Sequence, residues 1–136
     1  MNKNSLTVIF GVISVLALTA PVRADEIVVV MGAGATALTK DQVASIYLGR
    51  NNNLNPVDLP ESSKLREAFY KKATDRDQPQ IKAVWARLVF TGQGQPPKEL
   101  ADVAAVKQAV AADPKAVGYI DKAQVDATVK VVLTLN

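Results

Sequence analysis

The sequence predicts an α/β domain, a mainly parallel sheet flanked by helices. Three observations carry this: a continuous apolar run at residues 27–31, after Glu26 and bounded by glycine, helical stripes opened by recognisable caps, and the regular alternation of strand-like with helix-like stretches. Ile27, Val28, Val29 and Val30 are consecutive and β-branched, with Met31 after them and then Gly32, so the first strand is expected to be buried on both faces, as strands of a parallel sheet are. Gly32 and Gly34 follow in a loop. It does not continue as a dinucleotide-binding fingerprint, because Ala37 stands where the third glycine belongs, and no phosphate-loop Lys-Ser/Thr pair follows.

Thr39 and Gln42 have the spacing of a capping box, in which the threonine hydroxyl and the glutamine side chain each satisfy the other's backbone N–H. Val43, Ile46 and Tyr47 then supply one apolar helix face, and Gly49 suits the left-handed position just past its end. The asparagine-rich residues 50–55 form a turn into a short strand ending at Val57 and Leu59, which Pro60 breaks. Ser62 or Ser63 caps a second helix running through Tyr70, and residues 71–78 are a polar break. Asp77 or Gln78 caps a third helix with Pro79 in its first turn; Ile81, Val84, Trp85, Leu88 and Val89 form its apolar stripe, and Trp85 packs in the core. A loop with Gly92, Gly94, Pro96 and Pro97 ends that helix. Asp102 caps a fourth, with Val103, Val106 and Val110 facing inward. Residues 117–120 and 129–135 close the pattern as strands, with a turn or half-helix at 121–125.

Residues 1–24 have the three parts of a secretory signal: Lys3 near the start, an apolar run at residues 6–20, and Val22-Arg23-Ala24 as the cleavage site. The run is shorter than the roughly 20 residues of a membrane span. Cleavage after Ala24 leaves residues 25–136 as one soluble exported domain without a membrane span. Of the 16 Lys and Arg, two leave with the signal, so 14 face 13 Asp and Glu and the net charge falls to +1. At that balance, with no basic-aromatic stripe, nucleic acid is not an expected partner. The chain contains neither cysteine nor histidine. Disulfides, thiolate metal sites and histidine-based catalysis are therefore closed to it; no cofactor, metal or catalytic site is expected, and the chain does not read as an enzyme.

The strand, turn and helix start around Ser62, Ser63 and Lys64 form a candidate oxyanion site. The first amides of a helix lack intrahelical acceptors and carry the positive end of its dipole. Lys64 and Arg66 in that first turn are disfavoured there unless something negative sits nearby, either a bound anion or the chain's own Glu61 and Glu67. An ordinary capped helix with solvated charges accounts for the same residues. Thr91, Gly92 and Gly94 are the further candidates, because their loop could wrap a ligand.

Three blocks carry a family resemblance: residues 38–50, a helix closing on Ile46-Tyr47-Leu48-Gly49-Arg50; residues 56–69; and residues 112–120, closing on Val117-Gly118-Tyr119-Ile120. Together they resemble the periplasmic substrate-binding protein superfamily, and within it short proteins similar to the phosphate-binding component of phosphate ABC transporters. The resemblance implies a lobe of the type II periplasmic-binding-protein fold, phosphate or a related oxyanion as ligand, and an ABC transporter permease or another envelope protein as partner. In the family's phosphate turn an Arg and an Asp precede Ser-Gly-Thr. Aligned on Phe69, Ser63 takes the serine position, Lys64 the glycine, Leu65 the threonine, Glu61 the aspartate and Asp58 roughly the arginine. With that arginine replaced and only one lobe's length of chain, the expectation is weak phosphate binding at most by the monomer. The alternative is a periplasmic interaction or sensory module that keeps the fold.

Overall fold

The computed structural model describes residues 26–136; the expected signal segment lies outside them. Five strands, β1 (Ile27–Met31), β2 (Asn55–Asp58), β3 (Lys98–Glu99), β4 (Ala116–Asp121) and β5 (Lys130–Leu135), form one sheet in the order β3-β2-β4-β1-β5. Four helices, α1 (Lys40–Tyr47), α2 (Lys64–Thr74), α3 (Gln78–Phe90) and α4 (Val103–Ala112), surround it, with a 3₁₀ turn at Lys122–Gln124. The sheet is α/β and mixed. β2 pairs in parallel with β3 and β4, whereas β1 runs antiparallel to both β4 and β5. Four strands therefore point one way, and β1 alone opposes them. β1 is buried along its whole length as its composition demands, but burial on two faces follows from its central position and from helices on both sides, not from parallel pairing.

The Thr39–Gln42 capping box forms, Asp77 is the cap of α3 and makes a second box with Gln80, and Gly49 takes φ +74° just beyond α1. α2 runs four residues beyond Tyr70. Lys71 and Lys72 lie in its last turn, where cations favour the negative end of the helix dipole, and Asp75 at φ 57° ends it. The break between α2 and α3 is thus shorter than the polar composition suggested. β3 is two exposed residues that composition does not mark.

Side chains alternate across β4 and sort the layers. Gly118 faces α4: a Cβ built on it would lie 2.6 Å from Val106 Cγ1 and 3.1 Å from Val57 Cγ2. Its neighbour Tyr119 faces the opposite layer and stacks on Phe69 of α2, ring centroids 3.8 Å apart and 5° from parallel. Tyr47 of α1 meets Phe69, Tyr70 and Tyr119 edge-on at 4.7–6.0 Å. α4 therefore covers one face of the sheet while α1 and α2 cover the other.

The β-branched valines at Gly118 cannot rotate away from an added methyl group. Gly118→Ala is expected to destabilise the fold by about 1–3 kcal/mol through overpacking, read as a lowered urea midpoint at constant m-value.

Candidate functional site

Asp58 ends β2 on the face opposite α4, and its neighbours Val57 and Leu59 are apolar and buried. Its own exposure is 1%, so its carboxylate needs internal partners. Tyr70 of α2 donates its hydroxyl to one oxygen and Tyr119 of β4 donates to the other. The Leu59 N–H donates to the same oxygen as Tyr119, at 2.9 Å, and lies 3.3 Å from the Tyr119 hydroxyl. Tyr47 stands behind them, donating to the carbonyls of Val57 at 2.8 Å and Val117 at 3.2 Å, which braces β2 against β4.

Arg66 completes the cluster. Its Nη1 donates to the Leu59 carbonyl at 2.7 Å, its Nε lies 3.8 Å from the Asp58 carboxylate, and Nη1 lies 3.6 Å from Glu99. The guanidinium also sits 5.7 Å from the centre of the Tyr70 ring. Its Nε is buried without a hydrogen-bond acceptor. One arginine thus faces two carboxylates, and its charge is spent inside the protein.

Ser63 is the cap of α2: its hydroxyl oxygen accepts from the Arg66 N–H at 3.2 Å, and its own N–H donates to Pro60 O. Among the described residues no hydrogen bond engages the amides of Lys64 and Leu65 or the hydroxyl of Ser62, which is exposed. Glu61, the carboxylate nearest in sequence, turns instead to Lys82 of α3 at 3.8 Å. The tip of α2 is exposed at Ser62 and Lys64, and Glu67 is the acidic residue of its first turn. Lys64 is exposed and borders a groove with Ile27, Leu65, Ala68, Lys72 and Asp121, on a different side of α2 from Arg66.

Thr91, Gly92 and Gly94 are not brought to this tip. The first turn of α3 lies beside it, through a 3.2 Å bond from Gln78 Nε2 to Glu61 O, whereas Thr91 caps the other end of that thirteen-residue helix, roughly 18 Å away at 1.5 Å per residue. Thr91 donates its hydroxyl to Arg87 O, and Gly94 packs beside the Trp85 ring. Among the described residues no hydrogen bond joins these three to Ser62, Ser63 or Lys64.

A second feature opens between α2 and α3, a cavity of about 640 Å³ lined by Asp58, Arg66, Trp85, Phe90, Pro96 and Glu99 among others. Trp85 is buried and donates its indole N–H to Tyr47 O at 3.1 Å, as its core assignment requires. Val89 departs from the expected stripe at 44% exposure, and Phe90, the last residue of α3, is 92% exposed. No group of three or more Asp or Glu side chains able to hold a metal ion occurs among the described residues.

Two solved structures share the architecture. An ABC-type phosphate transport receptor from Vibrio cholerae superposes with a TM-score of 0.62 at 23% identity, over 79% of this chain and 45% of that one. A protein assigned as a phosphate ABC transporter substrate-binding protein, from Clostridium perfringens and with phosphate bound, gives 0.64 at 20% identity, over 79% and 44%. The fold is periplasmic-binding-protein-like. The chain spans just under half the length of either receptor, and at these identities the likeness establishes fold alone. No protein-family model and no curated protein matches the sequence. In this periplasmic-binding-protein-like lobe, Asp58 is the residue sequence reasoning weighed only as a misplaced arginine. Its signal was available: an acid between two apolar strand residues must find partners.

Burial, followed by the Asp58 charge, holds the Tyr70 and Tyr119 hydroxyls well above their ordinary ionisation range, and burial does the same for Tyr47. Unfolded tyrosines ionise near pH ~10 while the folded ones stay protonated, so the native state holds more protons above that pH and stability falls as pH rises through and beyond it. Urea denaturation is expected to give a flat stability through pH 7–9 from these groups and a decline above pH ~10 that is shallower in Tyr70→Phe. Asp58→Ala, which leaves Arg66 facing one exposed carboxylate, is expected to cost about 3–5 kcal/mol in the same measurement.

Proposed function

We propose that this protein is an exported solute-binding protein of the phosphate-receptor class, cleaved after Ala24, whose domain at residues 25–136 takes phosphate or a related oxyanion at the N-terminus of α2. The observation that carries this is the open tip: the Lys64 and Leu65 amides have no acceptor, the Ser62 hydroxyl is free beside them, and the Lys64 ammonium is exposed in the first turn. An anion there completes two backbone N–H groups at once and relieves a cation placed against the helix dipole. Ser63 contributes by capping, since its hydroxyl oxygen is already committed to Arg66 N. Thr91, Gly92 and Gly94 have no part in this site. Binding, not catalysis, is its chemistry, and an ABC transporter permease is the partner this class of protein delivers to.

The site is shallow and wet. Water competes for each donor, and Arg66, a partly buried cation two residues beyond Lys64, is neutralised by Asp58 and Glu99. About 4 kcal/mol of binding, a Kd near 1 mM, is the scale such a site supports. That internal neutralisation also favours a second reading, an envelope interaction module that keeps the periplasmic-binding-protein-like fold without high-affinity phosphate binding.

Titration with phosphate, at ionic strength matched by chloride, is expected to shift the backbone amide resonances of Lys64 and Leu65 and to raise the stability by about 2.7 kcal/mol at 100 times Kd. Lys64→Glu, an exposed change, is expected to abolish both effects. Phosphate and sulfate responses no larger than that of chloride would remove the oxyanion reading and leave the interaction module.

A further inference from the structure

Arg66 is balanced in charge and left short of hydrogen bonds. Asp58 and Glu99 face it at 3.8 and 3.6 Å, close enough to compensate a guanidinium and too far to accept from it. A guanidinium carries five N–H donors. Among the described residues this one makes a single side-chain hydrogen bond, from Nη1 to Leu59 O; Nη2 makes none, and Nε is buried without an acceptor. The side chain is 15% exposed, so bulk water reaches little of it, and donors held from water without acceptors are unfavourable to leave unmet. Arg66 lines the cavity of about 640 Å³ between α2 and α3, together with the apolar side chains of Ile81, Trp85, Pro96 and Pro97. Small-molecule sites occupy roughly 300–1,000 Å³ and combine such a lining with a few placed polar groups.

We propose that this cavity binds a small uncharged amide with an apolar body, its carbonyl oxygen accepting from Arg66 Nη2 and its body lying against Trp85 and the two prolines. The site is separate from the tip of α2 and stands without the oxyanion reading. Charge decides the class of ligand. A ligand carboxylate meets the same donors, but it enters beside Glu99 and beside Asp58, which is 1% exposed and held in place by Tyr70 and Tyr119. A third carboxylate around one guanidinium is repelled, and more strongly in a partly desolvated cavity than in water. A ligand ammonium is drawn to the carboxylates but brings Arg66 no acceptor and meets its like charge. A carbonyl oxygen supplies the acceptor and adds no charge. The Glu99 carboxylate, 55% exposed and without a hydrogen bond among the described residues, is then at hand to accept the N–H of the same amide, which favours an amide over an ester or ketone.

Trp85 is the chain's one tryptophan and lines the cavity, so its fluorescence reports occupancy. Hydrocinnamamide, hydrocinnamate and phenylpropylamine share one apolar body and differ in head group, and each is titrated into the purified protein in chloride buffer. The amide is expected to change the emission saturably, with a dissociation constant about tenfold below those of the acid and the amine. Glu99→Gln, at an exposed position, removes one of the two compensating charges and is expected to tighten the acid relative to the amide by about tenfold. Ala86→Phe, exposed on α3 and facing the cavity, is expected to abolish the response and leave the thermal midpoint unchanged. Lys64→Glu is expected to leave the response intact, which separates this site from the oxyanion site. A wild type whose emission none of the three probes alters overturns the proposal, as does one that takes the acid or the amine as tightly as the amide. So does a response that survives Ala86→Phe, or a preference for the amide over the acid that Glu99→Gln leaves as it was.

Discussion

A single buried carboxylate organises this lobe. Withdrawing Asp58 from water costs several kcal/mol unless its oxygens are met by donors, and the chain meets them from three separate elements: Tyr70 on α2, Tyr119 on β4 and the N–H of Leu59 beyond β2. Those bonds fix where α2 lies on the sheet. They also draw Arg66 inward, toward Asp58 and the Leu59 carbonyl, so the basic residue with the best geometry for binding an oxyanion becomes structural. What remains exposed is the outer part of the same helix turn, with Ser62 and Lys64.

The two cations of that turn consequently divide. Arg66 is partly buried, paired with Asp58 and Glu99 and set against the Tyr70 ring; Lys64, two residues earlier, points into a solvent-facing groove. A helix turn of about 100° per residue makes such a division natural for positions two apart. At the proposed site this division limits affinity, since a hydrated ammonium and two backbone amides offer an anion much less than a desolvated guanidinium would.

Local features of this architecture were legible in the sequence and long-range ones were not. Thr39 with Gln42 and the acid at position 77 lie three residues from what they bond, so the starts of α1 and α3 follow from the chain itself. Ser63 as the cap of α2 is legible for the same reason. That Asp58 needs partners is legible from its apolar neighbours, but which partners is not, because they stand 12 and 61 positions away and no local pattern names them. The direction of β1 was misread on similar grounds: an unbroken valine run reports burial on two faces but not the sense of its neighbours. Val89 fits the helical period yet is exposed, because periodicity marks which face is apolar and cannot say whether anything covers it. The separation of Thr91, Gly92 and Gly94 from Ser62 depends on the course of α3, a tertiary fact.

The antiparallel placement of β1 bears on how a lobe of under half a receptor's length closes its core. β1 pairs with β4 on one side and β5 on the other, so the first and last described strands bind each other near one end of the sheet, and Val28, Val29 and Val30 become fully buried between them. The edge there is moderated: β5 carries an exposed Lys130, and the β1–β5 register shifts at Val29 and Val30, a bulge of the kind that discourages strand addition. The opposite edge is finished by only two residues, Lys98 and Glu99, and the cavity beside Asp58 and Arg66 is lined by Tyr70 of α2, by α3 and by Pro96 and Pro97. α3 contributes just two buried side chains to the core. The uncovered apolar surface of Val89 and Phe90 thus falls beside the cavity that Asp58 and Arg66 line, toward the β3 edge of the sheet.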